Sequence, residues 1–180
     1  MIKLVIFDAG DILYKVPPRE IVDDIVNGFL EKHGYTDFKQ ADRIWGELIK
    51  RAIVGEIIAG DANMLGLKKL GLNKDLFSEL SKIIREEILK KHAKAFPRVN
   101  ETLRKLKTRY KLAVLSDAIV SKEERIEEFK ILSIDWTLFD EIFTSHDIKY
   151  VKPDKEAYLT VLRYFNVKPT EAVFVGHDSE

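Results

Sequence analysis

The chain has 180 residues, 46% of them hydrophobic, enough to bury a sizeable core in one domain or in a domain carrying a large insertion. Lysine plus arginine number 30 and aspartate plus glutamate number 30, so the formal net charge is zero and no broad field favours nucleic acid or an anionic membrane as partner. Cysteine is absent, which excludes disulfides, thiolate metal sites and a cysteine nucleophile.

Met1 to Phe7 reads MIKLVIF, too apolar for a surface strand and suited to one covered on both faces, as in a parallel α/β sheet. The run breaks into Asp8-Ala9-Gly10-Asp11, which puts Asp8 at a carboxyl strand end, where such sheets bind ligands. A carboxylate there can act as a nucleophile, although Asp and Gly are also ordinary turn formers and the junction alone fits either role. The N-terminus enters this strand without a signal-like segment, and no apolar run reaches membrane-spanning length. A cytoplasmic protein is expected.

Pro17-Pro18 marks a change from strand to helix. Ile21, Val22, Ile25, Val26, Phe29 and Leu30 recur at helical spacing before a stop at Gly34. Asp37 with Gln40 has the form of a loose capping box opening a second helix through Ile44, Trp45, Leu48, Ile49 and Ala52, loosened at its end by Gly55 and Gly60. Asp61 is expected to start a short helix closed by Gly71, and Asn73 a longer one with Leu76, Leu80, Ile83, Ile84 and Leu89 on one side. Residues 16–94 are thus expected to form an all-helical cap inserted into a core of residues 1–15 and 95–180. Such a cap sits over the strand end carrying Asp8 and governs substrate entry.

Past Pro97, a helix through Leu103 and Leu106 precedes the strand Lys111–Leu115, which ends at Ser116-Asp117. A helix over Glu123 to Leu132 follows, then an apolar stretch Phe139 to Phe143 leading through Thr144 and Ser145 to Lys152-Pro153-Asp154. A helix from Asp154 to Phe165 and a strand Ala172–Val175 running into Gly176-His177-Asp178-Ser179 complete the series. This alternation predicts a doubly wound parallel α/β sheet.

In these junctions the sequence resembles the haloacid dehalogenase-like (HAD) hydrolase superfamily, over the whole chain. The first motif is similar to FDAGDIL, the second to LAVLSDA, the third to VKPDKEAY and the fourth to VFVGHDS. Each is weak alone; the ordered set, each behind a strand, is strong. The resemblance implies a HAD-like Rossmannoid core with Asp8 as nucleophile, Ser116 as the small hydroxyl, Lys152 as the catalytic lysine and Asp178 as a metal-binding acid. It further implies Mg2+ held by Asp8, the Gly10 carbonyl and Asp178, and a small phosphorylated metabolite hydrolysed through an aspartyl-phosphate at Asp8. HAD-like folds usually add a helix and a strand past the fourth motif, so the last core unit is expected to be missing and the fourth strand to be a sheet edge.

Gly10 departs from the pattern. The family's phosphatases usually carry there a second aspartate, the general acid and base, and losing such a group removes roughly 10² to 10⁴ in rate. Asp11 could replace it if the loop were shifted by one residue, and His177 is another candidate, each with a plainer role as a loop residue. Two other readings stay open: a metal-independent haloacid dehalogenase-like enzyme, which usually has an aromatic residue at the Gly10 position, and a phosphate-binding or regulatory relative with impaired turnover. His33 and His92 lie near cap-helix ends and His146 in a loop before Lys152. Neither the substrate nor the oligomeric state has a legible signature.

Overall fold

The computed structural model describes residues 1–177. Its strands are β1 (Leu4–Phe7), β2 (Tyr14–Lys15), β3 (Lys94–Ala95), β4 (Lys111–Ser116), β5 (Glu141–Thr144) and β6 (Ala172–Val175). Four of them form a parallel sheet in the order β5-β4-β1-β6. Leu4 lies opposite Lys111 and Ala172, and Phe7 opposite Val114 and Val175, so β1 is paired on both sides. All of β1 and all of β4 beyond Lys111 are buried, which is why both read as continuous apolar runs rather than as alternation.

The pleat of β1 sends Val5 and Phe7 into one core layer with Leu103, Phe129 and Phe139, and Leu4 and Ile6 into the other with Ala157, Val161 and Leu162. Helices α6 (Val99–Lys107) and α7 (Lys122–Ile131) cover the first face, and α9 (Lys155–Phe165) covers the second. Among the described residues β6 pairs only with β1, and its Val173 and Phe174 are 42% and 36% exposed, so it is a sheet edge.

Between β2 and β3 the chain is helical. Helices α1 (Arg19–Lys32), α2 (Phe38–Ile53) and α3 (Ala59–Lys69) follow the apolar spacing, and Asp37 caps α2 by accepting the Gln40 N–H at 3.0 Å. Phe29, Leu30, Ala41, Leu67 and Leu80 make a separate small core there. Helix α3 starts at Ala59 rather than Asp61, which instead lies in its first turn, where a negative charge favours the helix dipole. The stretch expected as one long helix after Asn73 is a 3-10 turn (Lys74–Leu76), α4 (Phe77–Lys82), a π-helical segment (Ile83–Leu89) and α5 (Lys90–His92).

Two further features differ from the sequence reading. Tyr14 pairs with Ala95 and Lys15 with Lys94 in an antiparallel ribbon that ties together both connections to the helical segment. His146 lies in the short helix α8 (Ser145–Ile148) rather than in a loop; it is buried, and its Nδ1 is 2.9 Å from the Ala52 carbonyl oxygen of α2. Lys149, just after α8, donates from Nζ to the Gly55 carbonyl at 2.8 Å, a second tie between the helical segment and the carboxyl end of the sheet. No helix among the described residues is long and apolar enough to cross a membrane.

Candidate active site

Asp8 leaves β1 with its N–H donated to the Val175 carbonyl at 2.8 Å, so the last bond between β1 and β6 fixes its backbone. Its Oδ1 accepts the Ala9 N–H at 2.7 Å and its Oδ2 pairs with Lys152 Nζ at 2.7 Å. The two side chains are 15% and 12% exposed, so this pair is screened far less than a surface pair. Lys152 is held from three directions: Nζ donates to the Leu115 carbonyl at 3.2 Å, its backbone N–H donates to Asp117 Oδ1 at 3.0 Å, and the Phe174 ring centroid lies 5.5 Å from Nζ.

Ser116 ends β4 almost fully buried, and its Oγ accepts from Arg125 Nη2 at 3.3 Å. Arg125 Nη1 donates to the Tyr14 hydroxyl at 2.9 Å and pairs with Glu128. A guanidinium has no acceptor, so both hydroxyl oxygens must accept from it and each keeps its proton for another partner. Burial pushes the Tyr14 hydroxyl further up, against the opposing charge of Arg125, and keeps it a donor at neutral pH. Burial likewise raises the Glu128 carboxyl, with Arg125 acting in the opposite sense. The Asp117 carboxyl is raised by burial, opposed by the hydrogen bond and charge of Lys152 and reinforced by the negative charge of Asp8.

A cavity of about 710 Å³ collects Asp8, Gly10, Ser116, Asp117, Arg125 and Lys152 at the carboxyl end of the sheet. The structure thus brings Asp8 and Gly10 after β1, Ser116 at the end of β4 and Lys152 after α8 together at one cavity, while Asp178 lies outside the described residues. Asp11 and His177 also reach the cavity wall. Asp11 adopts a left-handed backbone (φ 56°), and its Oδ1 accepts the Val16 N–H at 3.2 Å, the work of a turn acceptor. A Cβ on Gly10 would lie 2.9 Å from Val16 Cγ1, so the loop leaves a side chain there no space unless Val16 moves.

Carboxylate and carbonyl oxygens at Asp8 and Gly10 suit a hard cation, and the repulsion between Asp8 and Asp117 is of the kind a cation relieves. Among the described residues no three His, Asp or Glu side chains make a ligand cluster by themselves. Arg125 and Tyr14 were not singled out as site residues from sequence. One signal did exist: Arg125 and Phe129 are buried four residues apart on α7, and a charge on the apolar stripe of a helix needs a partner.

Comparison with known proteins agrees with this architecture. A family model described as haloacid dehalogenase-like hydrolase matches residues 56–180. The glyceraldehyde 3-phosphate phosphatase of Methanothermobacter thermautotrophicus is 26% identical over 185 residues, covering 98% of this chain and 77% of that protein. The phosphoglycolate phosphatase of Psychrobacter arcticus is 26% identical over 183 residues, covering 97% of this chain and 74% of that one. Among solved structures, a 2-haloacid dehalogenase from Pseudomonas syringae superposes with a TM-score of 0.69 at 23% identity, over 99% of this chain and 79% of that chain. A HAD phosphatase from Thermococcus onnurineus gives 0.62 at 22% identity, over 98% and 78%. At these identities the two structures speak for the fold. The chain belongs to the haloacid dehalogenase-like hydrolase family and is an enzyme of the hydrolase class.

Proposed function

We propose that the protein is a magnesium-dependent phosphohydrolase of a small phosphorylated metabolite, with residues 16–94 as the cap over its site. The observation that carries this reading is the Asp8–Lys152 pair, 2.7 Å apart and mostly buried, at the wall of a cavity that also holds Ser116. A nucleophilic carboxylate with a fixed cation beside it is what attack on an anionic phosphoryl group requires.

In this reading Asp8 attacks phosphorus, the phosphorus–oxygen ester bond breaks, and an aspartyl-phosphate forms. The departing alkoxide takes a proton from water, because Gly10 has none to give. A second water then attacks phosphorus, releasing inorganic phosphate and regenerating the Asp8 carboxylate. Lys152 offsets the charge on the transferring oxygens, and the unspent protons of Ser116 and Tyr14 are available to donate to them. Magnesium, for which Asp8, the Gly10 carbonyl and Asp178 are the proposed ligands, would offset the negative charge of the substrate. With no acid at Gly10, turnover is expected to be slow for poor leaving groups.

The test is a panel of phosphate monoesters assayed with and without magnesium. Phosphate release that disappears in Asp8→Asn and on chelation supports the proposal. Halide release from 2-haloacids without metal replaces it with dehalogenation, and phosphate binding without release replaces it with a regulatory role.

A further inference from the structure

A second hollow of about 350 Å³ adjoins the cavity at Asp8, and the two share Tyr14, Val16, Asp117 and Arg125 as walls. Beyond the shared residues the wall is mainly aliphatic. Val16 and Val22 come from the entry to α1, Ile84 and Ile88 from the π-helical segment, and Ile119 and Val120 from the loop after β4. Val16 and Ile84 are each 37% exposed, so their hydrocarbon faces the hollow instead of being spent in the core.

The charged groups at the junction are largely engaged, while the Tyr14 hydroxyl keeps its proton. Asp117 Oδ1 accepts the Lys152 N–H, and Arg125 is paired with Glu128 while donating to Ser116 and Tyr14. Of the Arg125 nitrogens only Nε, buried, lacks a hydrogen-bond partner among the described residues. A second anionic substituent on the substrate would meet no unpaired cation here and would face the Glu128 carboxylate.

We propose that the hollow is the leaving-group subsite and that it takes hydrocarbon: the substrate class is a phosphate monoester of a short aliphatic or aromatic alcohol, not a phosphorylated carboxylic acid. This rests on the phosphohydrolase reading of the Asp8 cavity. The volume is at the small end for ligand pockets, roughly 300 to 1,000 Å³, and admits a group of several carbons.

The experiment measures the affinity of the full chain with magnesium for non-hydrolysable n-alkylphosphonates from methyl to hexyl, beside orthophosphate. In parallel, affinity is measured for 3-phosphonopropionate, the non-hydrolysable counterpart of phosphoglycolate, and phosphate release for the matching alkyl phosphates. Affinity is expected to rise roughly fourfold per methylene until the hollow is filled, and propylphosphonate to bind more tightly than 3-phosphonopropionate. Ile88→Asn should flatten the chain-length slope. Val22→Thr, nearly isosteric, should halve the slope or more if Ile88→Asn does not fold. A flat phosphonate series, or tighter binding of 3-phosphonopropionate than of propylphosphonate, in a protein that binds orthophosphate overturns the inference and leaves the phosphohydrolase reading standing. Failure of the wild type both to bind orthophosphate and to hydrolyse any ester overturns both.

Discussion

Replacing Gly10 with aspartate should not by itself install the missing acid. An added Cβ falls 2.9 Å from Val16 Cγ1, well inside ordinary van der Waals contact. The backbone of Val16 cannot easily yield, because its N–H is bonded to Asp11 Oδ1 at 3.2 Å and Pro17 follows it. Its side chain can rotate, being 37% exposed, and leaving a preferred rotamer costs about 0.5 to 1.5 kcal/mol, less than the roughly 1 to 3 kcal/mol of overpacking a closed core. Gly10→Asp is therefore expected to destabilise the fold by about 1 kcal/mol. Val16→Ala in the same chain should restore most of that loss, a coupling that urea denaturation of both single variants and the double variant would measure. Phosphate release should rise most in the double variant, by up to roughly 10²-fold, since only there is the new carboxyl free to adopt a donor position. Strictly additive stabilities, or full activity in Gly10→Asp alone, would refute the steric reasoning.

Lys152→Ala removes the cation paired with Asp8 and is expected to lower kcat by roughly 10² to 10³, read in the same phosphate-release assay. Arg125→Met strands the half-buried Glu128 carboxylate and two hydroxyls, so thermal or urea unfolding should show a loss of about 3 to 5 kcal/mol; Arg125→Met with Glu128→Gln should recover a large part of it. Asp117 holds its proton more tightly in the folded chain than in the unfolded one, chiefly through burial. Wild-type stability contributed by this group therefore falls as pH rises from the ordinary aspartate value of about 3.9 through the raised one. Asp117→Asn should then raise Tm at neutral pH and lose that advantage in acid; an equal shift at both ends would contradict the linkage.

The parallel sheet was legible because β1 and β4 are covered on both faces, and a run such as LVIF admits few other placements. The positions of Asp8 and Ser116 at strand ends were legible because each directly follows or closes such a run, whereas Lys152 lies past α8 and was singled out only through the motif it resembles. The β2–β3 ribbon was not, since it has two residues on each side and joins Tyr14 to Ala95 across the whole helical segment, so no local periodicity announces it. Arg125 escaped for a related reason: its spacing from Phe129 placed it on the buried stripe of α7, but its partner Tyr14 is 111 residues away, so the local pattern did not say what it pairs with. His146 was misplaced because its constraint, the Ala52 carbonyl 94 residues earlier, belongs to tertiary packing rather than to the sequence around it. The aliphatic hollow is a property of three segments meeting, and none of them alone distinguishes a lining residue from a core one.

Asp8 is the group proposed to take the phosphoryl. Quenching the enzyme during turnover of a phosphate monoester, reducing it with borohydride and sequencing the labelled peptide by mass spectrometry reads that event directly. Reduction of an acyl phosphate at Asp8, absent in Asp8→Asn and without substrate, is the predicted result. Sustained phosphate release with Asp8 unmodified, or with the label on another residue, would contradict it.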